Sequence, residues 1–71
     1  MTAIEGTVES FDARRGDGLL RGDDGTGFYF HCVMIADGSR SIPVGVRAAG
    51  RRSVGRLGRD EAVDVRVESN D

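Results

Sequence analysis

Eleven glycines, set at short intervals between Gly6 and Gly58, constrain this chain more than any other feature. Between them lie runs of β-branched and aromatic residues, each too short for a helix of ordinary length, so short strands joined by tight turns are the natural arrangement. Ile4 to Phe11 predicts a first strand, ended by the polar segment Asp12-Ala13-Arg14-Arg15-Gly16. Gly18 to Arg21 and Gly27 to Val33 predict a hairpin, because the Asp-Gly pair in Gly22-Asp23-Asp24-Gly25 accepts the positive φ of a tight reversal. From Ile35 to Gly45 the alternation is lost and Gly38, Ser39, Ser41 and Pro43 mark a longer connection. Val46 to Val54 predicts a fourth strand, although Ala48-Ala49-Gly50 is poor strand material, and Gly55-Arg56-Leu57-Gly58 a turn. The alternation of Ala62-Val63-Asp64-Val65-Arg66-Val67 predicts the last strand.

Five strands, with hairpins early and late and a long crossing between them, predict an all-β fold: a small five-stranded antiparallel Greek-key barrel of the OB type. A length of 71 residues leaves room for one domain, with the barrel over about 3–68 and a short polar tail. No basic segment followed by an apolar run opens the chain, and no apolar run is long enough to span a bilayer. A cytoplasmic location and no membrane partner are therefore expected, and a monomer rather than a dimer. Cys32 is the sole cysteine, which precludes an internal disulfide and fits a reducing compartment.

The formal net charge of −2 supplies no global attraction to a polyanion, but the distribution is uneven. All ten basic residues are arginine, and Arg40, Arg47, Arg51, Arg52, Arg56 and Arg59 fall in a stretch, Ser39 to Arg59, that holds no carboxylate. Such a stretch is ordinarily a solvated surface. Its freedom from carboxylates makes phosphate binding an equal alternative.

The run Gly6-Thr7-Val8-Glu9-Ser10-Phe11-Asp12-Ala13-Arg14-Arg15-Gly16-Asp17-Gly18-Leu19-Leu20 resembles the opening of bacterial cold-shock proteins, G-T-V-K-W-F-N-x-x-K-G-F-G-F-I. Phe28-Tyr29-Phe30-His31-Cys32 resembles the same family's V-F-V-H-F, and Glu61 to Val65 its closing Q-A-A-N-V. The resemblance implies an outer face that stacks bases, carried here by Ser10, Asp17, Leu19, Tyr29 and His31. It departs from the family where Trp has become Ser10, two Phe have become Asp17 and Leu19, and a third Phe has become Cys32.

Strand geometry sorts the third strand without any family: Phe28, Phe30 and Cys32 point one way, as core, and Tyr29 and His31 the other. Tyr29 is either a packed strand tyrosine or a base-stacking platform, and the matched motif favours the second. His31 stacks on an unpaired base or is an ordinary half-buried histidine. Phe11 reads as core before contact. Arg14, Arg15 and Arg21 flank the face and offset the lost aromatics, since a guanidinium both stacks on bases and pairs with phosphate. The expected nucleic-acid-binding set is thus Tyr29, His31, Phe11, Leu19, Arg14, Arg15, Arg21 and Ser10, with Asp17 an exposed carboxylate in the path of phosphates, replaceable by Phe at little cost in stability.

The expected partner is single-stranded RNA or DNA, bound weakly and with a dependence on salt, in the manner of an RNA chaperone or gene-expression regulator. The alternative is a protein partner, on a barrel that has lost most of its stacking face. No enzyme is expected. His31 and Cys32 are neighbours in a strand and face opposite sides, so they form neither a nucleophile and base nor a metal set. Gly16-Asp17-Gly18-Leu19-Leu20-Arg21 lacks the third glycine of a dinucleotide fingerprint, and a chain without lysine has no P-loop. Cofactors and metals are expected to be absent.

Overall fold

The computed structural model describes residues 3–55 and 58–68. Strands β1 (Ala3–Asp12), β2 (Asp17–Gly22), β3 (Gly27–His31), β4 (Arg47–Val54) and β5 (Asp60–Val67) close into a barrel in the order β1-β2-β3-β5-β4. A 3-10 turn, Cys32–Met34, follows β3 and takes the place of the last residues expected of that strand. The fold is all-β and five-stranded as the sequence predicts. Arg56 and Leu57, in the turn expected before the last strand, lie outside the described residues.

One seam differs from the antiparallel expectation. β1 pairs antiparallel with β2 and β4, as do β2 with β3 and β4 with β5, whereas β3 and β5 run parallel, with Tyr29 opposite Glu61. Parity requires this: strand direction cannot alternate all the way round a closed ring with an odd number of members. Beside that seam, Ile35 forms an isolated parallel bridge with Val65, which ties the long connection to β5.

The barrel is filled by Ile4, Val8, Leu20, Phe28, Phe30, Ile35, Ile42, Ala48, Ala62 and Val65, all buried. Ile35 and Ile42 anchor the connection from β3 to β4 across the barrel end. Gly45, at φ 95°, then lets its N–H reach the Val8 carbonyl at 2.8 Å. The β2–β3 reversal forms where Asp24-Gly25 predicts it, with Gly25 at φ 91° and the Asp24 carboxylate accepting from the Thr26 N–H at 2.9 Å.

Two bulges break the period-2 pattern. The register of β1 on β2 shifts between Val8 and Ser10, which makes Glu9 an extra residue and reverses the faces beyond it. Strict alternation from Ile4, Gly6 and Val8 would send Ser10 inward and Phe11 outward. Instead Ser10 is exposed and Phe11 turns to the core, its ring stacked on Phe30 at 6.1 Å between centroids. On β5 the register shift opposite Ala49 to Arg51 leaves Asp64 as the extra residue, at φ 55°. This explains why Ala62 and Val65 are buried while Val67, in phase with Val65, is exposed beyond the end of the core. Among the described residues, no helix is long and apolar enough to cross a membrane.

Candidate nucleic-acid interface

The outer surface of β1, β2 and β3 brings together Ser10, Asp17, Leu19, Tyr29 and His31. Ser10 stands opposite Leu19, Leu19 opposite Tyr29, and Asp17 opposite His31. Tyr29 is the centre. Its ring is half-buried, His31 meets it edge-on at 5.3 Å and 87°, and the Arg59 guanidinium lies over it at 4.4 Å from the ring centroid.

Asp17 overturns its expected role. It is not an exposed carboxylate: only 6% of the residue is accessible, because Tyr29 and Arg15 cover it. The Tyr29 hydroxyl donates to Oδ2, and Arg15 donates to the same oxygen from Nη2 at 3.2 Å and Nε at 3.4 Å. The Tyr29 hydrogen bond, then Arg15 and the nearby His31, hold the Asp17 carboxyl below the usual carboxylate range against the opposing effect of desolvation. The same bond makes the Tyr29 phenol harder to ionise, and its pKa rises. Replacing Asp17 with Phe would leave the half-buried Tyr29 hydroxyl without its partner and remove the Arg15 ion pair, a folding cost that the sequence reading did not anticipate.

The flanking arginines also divide. Arg21 is spoken for: Nε and Nη2 grip Glu9 at 2.7 and 3.1 Å, and Nη1 donates to the Gly25 carbonyl at 3.0 Å. Arg14 is exposed in the β1–β2 turn and makes no ion pair among the described residues. Arg15 keeps its outer edge open, with a side chain 67% accessible. Phe11 contributes through its exposed edge only, since its ring is engaged with Phe30. A shallow depression of about 240 Å³ lies beside Tyr29, lined by Ser10, Phe11, Arg15, Asp17, Leu19 and Tyr29.

The carboxylate-free stretch is not a free basic surface. Arg47 grips Asp23 at 2.6 and 2.9 Å, Arg52 pairs with Asp60 at 2.8 Å, and Arg51 lies 3.8 Å from Asp64. The acids come from other parts of the chain, brought alongside by the barrel. Arg40 and Arg59 make no ion pair among the described residues, and Arg56 lies outside them. Sequence reasoning named Arg59 only as one of six arginines in the carboxylate-free stretch and did not bring it to Tyr29. The signal was available in the strand order, since a residue just before a last strand that pairs with β3 must come close to Tyr29.

A larger opening, about 500 Å³, lies near the other end of β1 and is bordered by Glu5, Asp23, Asp24 and Arg52. Its acidic rim disfavours a polyanion. Cys32 is half-buried against the core, away from the exposed His31, and no three metal-ligating side chains gather among the described residues.

Fold and face together define a small closed β-barrel with Tyr29 set beside guanidinium groups on its outer surface and His31 edge-on against it. No protein-family model matches the chain, and no curated protein does.

Proposed function

We propose that this chain is a divergent relative of the cold-shock barrels and binds single-stranded RNA or DNA weakly, with little sequence preference, across the outer face of β1, β2 and β3. The observation that supports this most is Tyr29. Its ring is turned outward, fixed through its hydroxyl to Asp17, and attended by Arg15 and Arg59. A strand of nucleic acid needs a π-surface for a base and cations spaced along it for phosphates, and this face has both. Arg59 occupies the ring face, so a base that stacks there displaces the guanidinium, which then meets the adjoining phosphate. An RNA chaperone or regulator of gene expression is the corresponding role.

Protein interaction is the second reading, favoured by the pairing of Arg21, Arg47, Arg51 and Arg52 with carboxylates and by Ser10, Asp17 and Leu19 standing where the resemblance implies aromatic rings. Titration with a fluorescent heptathymidylate at low salt separates the two. Tyr29→Ala is expected to weaken binding by roughly 5- to 150-fold, the equivalent of one stacked base. If the folded variant binds like the parent, the face does not stack bases and the protein-interaction reading takes the lead.

A further inference from the structure

The geometry points to guanine as the base that the depression beside Tyr29 selects, read by Asp17 and Arg15 acting as a pair; this rests on the single-strand reading above. Three observations carry it. First, Asp17 is a buried, ionised carboxylate, and an ionised carboxylate only accepts hydrogen bonds. Second, its two oxygens are unequally used. Oδ2 takes the hydrogen bonds from Tyr29 and Arg15, while Oδ1 is held in the ion pair with Arg15, 3.1 Å from Nη2, and accepts no hydrogen bond among the described residues. Third, Nη1 of Arg15 has no partner among the described residues. The depression therefore offers acceptor lone pairs beside outward N–H donors.

The bases differ in how they meet such a pair. Guanine presents the O6 acceptor next to two donors, N1–H and the exocyclic N2–H₂, so O6 faces the guanidinium and the donors face the carboxylate. Uracil and thymine offer one N–H flanked by two carbonyls, and a carbonyl turned toward Oδ1 sets lone pair against lone pair. Adenine and cytosine each present one amino group beside an acceptor, a partial match. Tyr29 and the edge of Phe11 supply the walls against which the base lies. The cold-shock resemblance implies no such preference at this position, where that family has an aromatic ring.

The test is a set of heptathymidylates with guanine, inosine, adenine, cytosine or thymine at the centre, titrated at low salt by fluorescence anisotropy. Guanine at the centre is expected to bind about tenfold more tightly than thymine, within the range of one well-formed bidentate contact. Inosine, which lacks the exocyclic amine, is expected to fall between them. D17N replaces one acceptor oxygen with a donor and is expected to bring the guanine-to-thymine ratio below about threefold. The inosine comparison needs no variant, so it stands even if D17N does not fold. Equal affinity for all five oligonucleotides overturns the guanine assignment alone. No binding of any oligonucleotide overturns the nucleic-acid reading on which it rests.

Discussion

If the proposed single-strand binding is right, the division of arginines into paired and unpaired groups would set its salt dependence. Counting every arginine as a phosphate contact would predict a steep dependence, but Arg21, Arg47, Arg51, Arg52 and Arg66 each face a carboxylate. On the proposed face there remain Arg59, the open edge of Arg15 and, in the β1–β2 turn, Arg14, so two to three phosphates would be neutralised. At about −0.7 per phosphate on a single strand, log K against log salt should have a slope between about −1.4 and −2.1. Between 50 and 200 mM salt the affinity for heptathymidylate should therefore fall by about 7- to 18-fold. Anisotropy titrations at four salt concentrations measure it. Arg59→Ala and Arg14→Ala should each flatten the slope by about 0.7, whereas Arg52→Ala, which removes a cation already held by Asp60, should leave it unchanged. A slope steeper than about −4, or an Arg52→Ala effect equal to that of Arg59→Ala, would refute the partition, because the paired arginines would then be releasing their acids to bind phosphate.

Stability should depend on pH at both ends through the Asp17–Tyr29 bond. The Asp17 pKa is lowered in the folded state, so its contribution is present above the unfolded aspartate value and is lost as pH falls through the lower folded one. The Tyr29 pKa is raised, so its contribution is present below the unfolded tyrosine value and is lost as pH rises through the higher folded one. Urea titrations across the pH range should give a plateau between these limits, and Tyr29→Phe should reduce both flanks; flanks identical to the parent's would show that the bond does not bear on folding. Gly6→Ala should destabilise by about 1–3 kcal/mol or more, because a Cβ there would overlap the Arg21 carbonyl and neither strand can retreat from a closed barrel. A melting temperature equal to the parent's would mean that the β1–β2 seam is looser than described.

Much of the barrel could be read from local pattern. The Asp24-Gly25 reversal, the Phe28 and Phe30 core pair and the outward Tyr29 all follow from turn chemistry and alternation, and each depends on residues within a few positions of one another. What could not be read depends on partners far along the chain. The bulge at Glu9 exchanges the faces of Ser10 and Phe11, and nothing in the β1 sequence announces it; only the resemblance put Ser10 outward. The burial of Asp17 follows from the Tyr29 side chain reaching from β3 across to the neighbouring β2 and Arg15 folding back from the turn. Likewise, Arg47 finds Asp23 only because β4 lies against β1 and beside the β2–β3 turn. A stretch free of carboxylates in sequence is thus not free of them in space.

The odd number of strands has a consequence for motion. Four seams of the barrel are antiparallel ladders, but the fifth, between β3 and β5, holds by one parallel pair, Tyr29 with Glu61, helped by the Ile35 bridge. Parallel pairing is the weaker kind per residue. Hydrogen exchange should therefore begin there, with the ring parting like a clasp at that point while the remaining ladders stay shut. Tyr29 belongs to one side of the clasp and Arg59 leads into the other. A strand of nucleic acid that holds both would fasten it, so occupancy and barrel closure become a single equilibrium, and protection of the β3 and β5 amides should rise with ligand concentration.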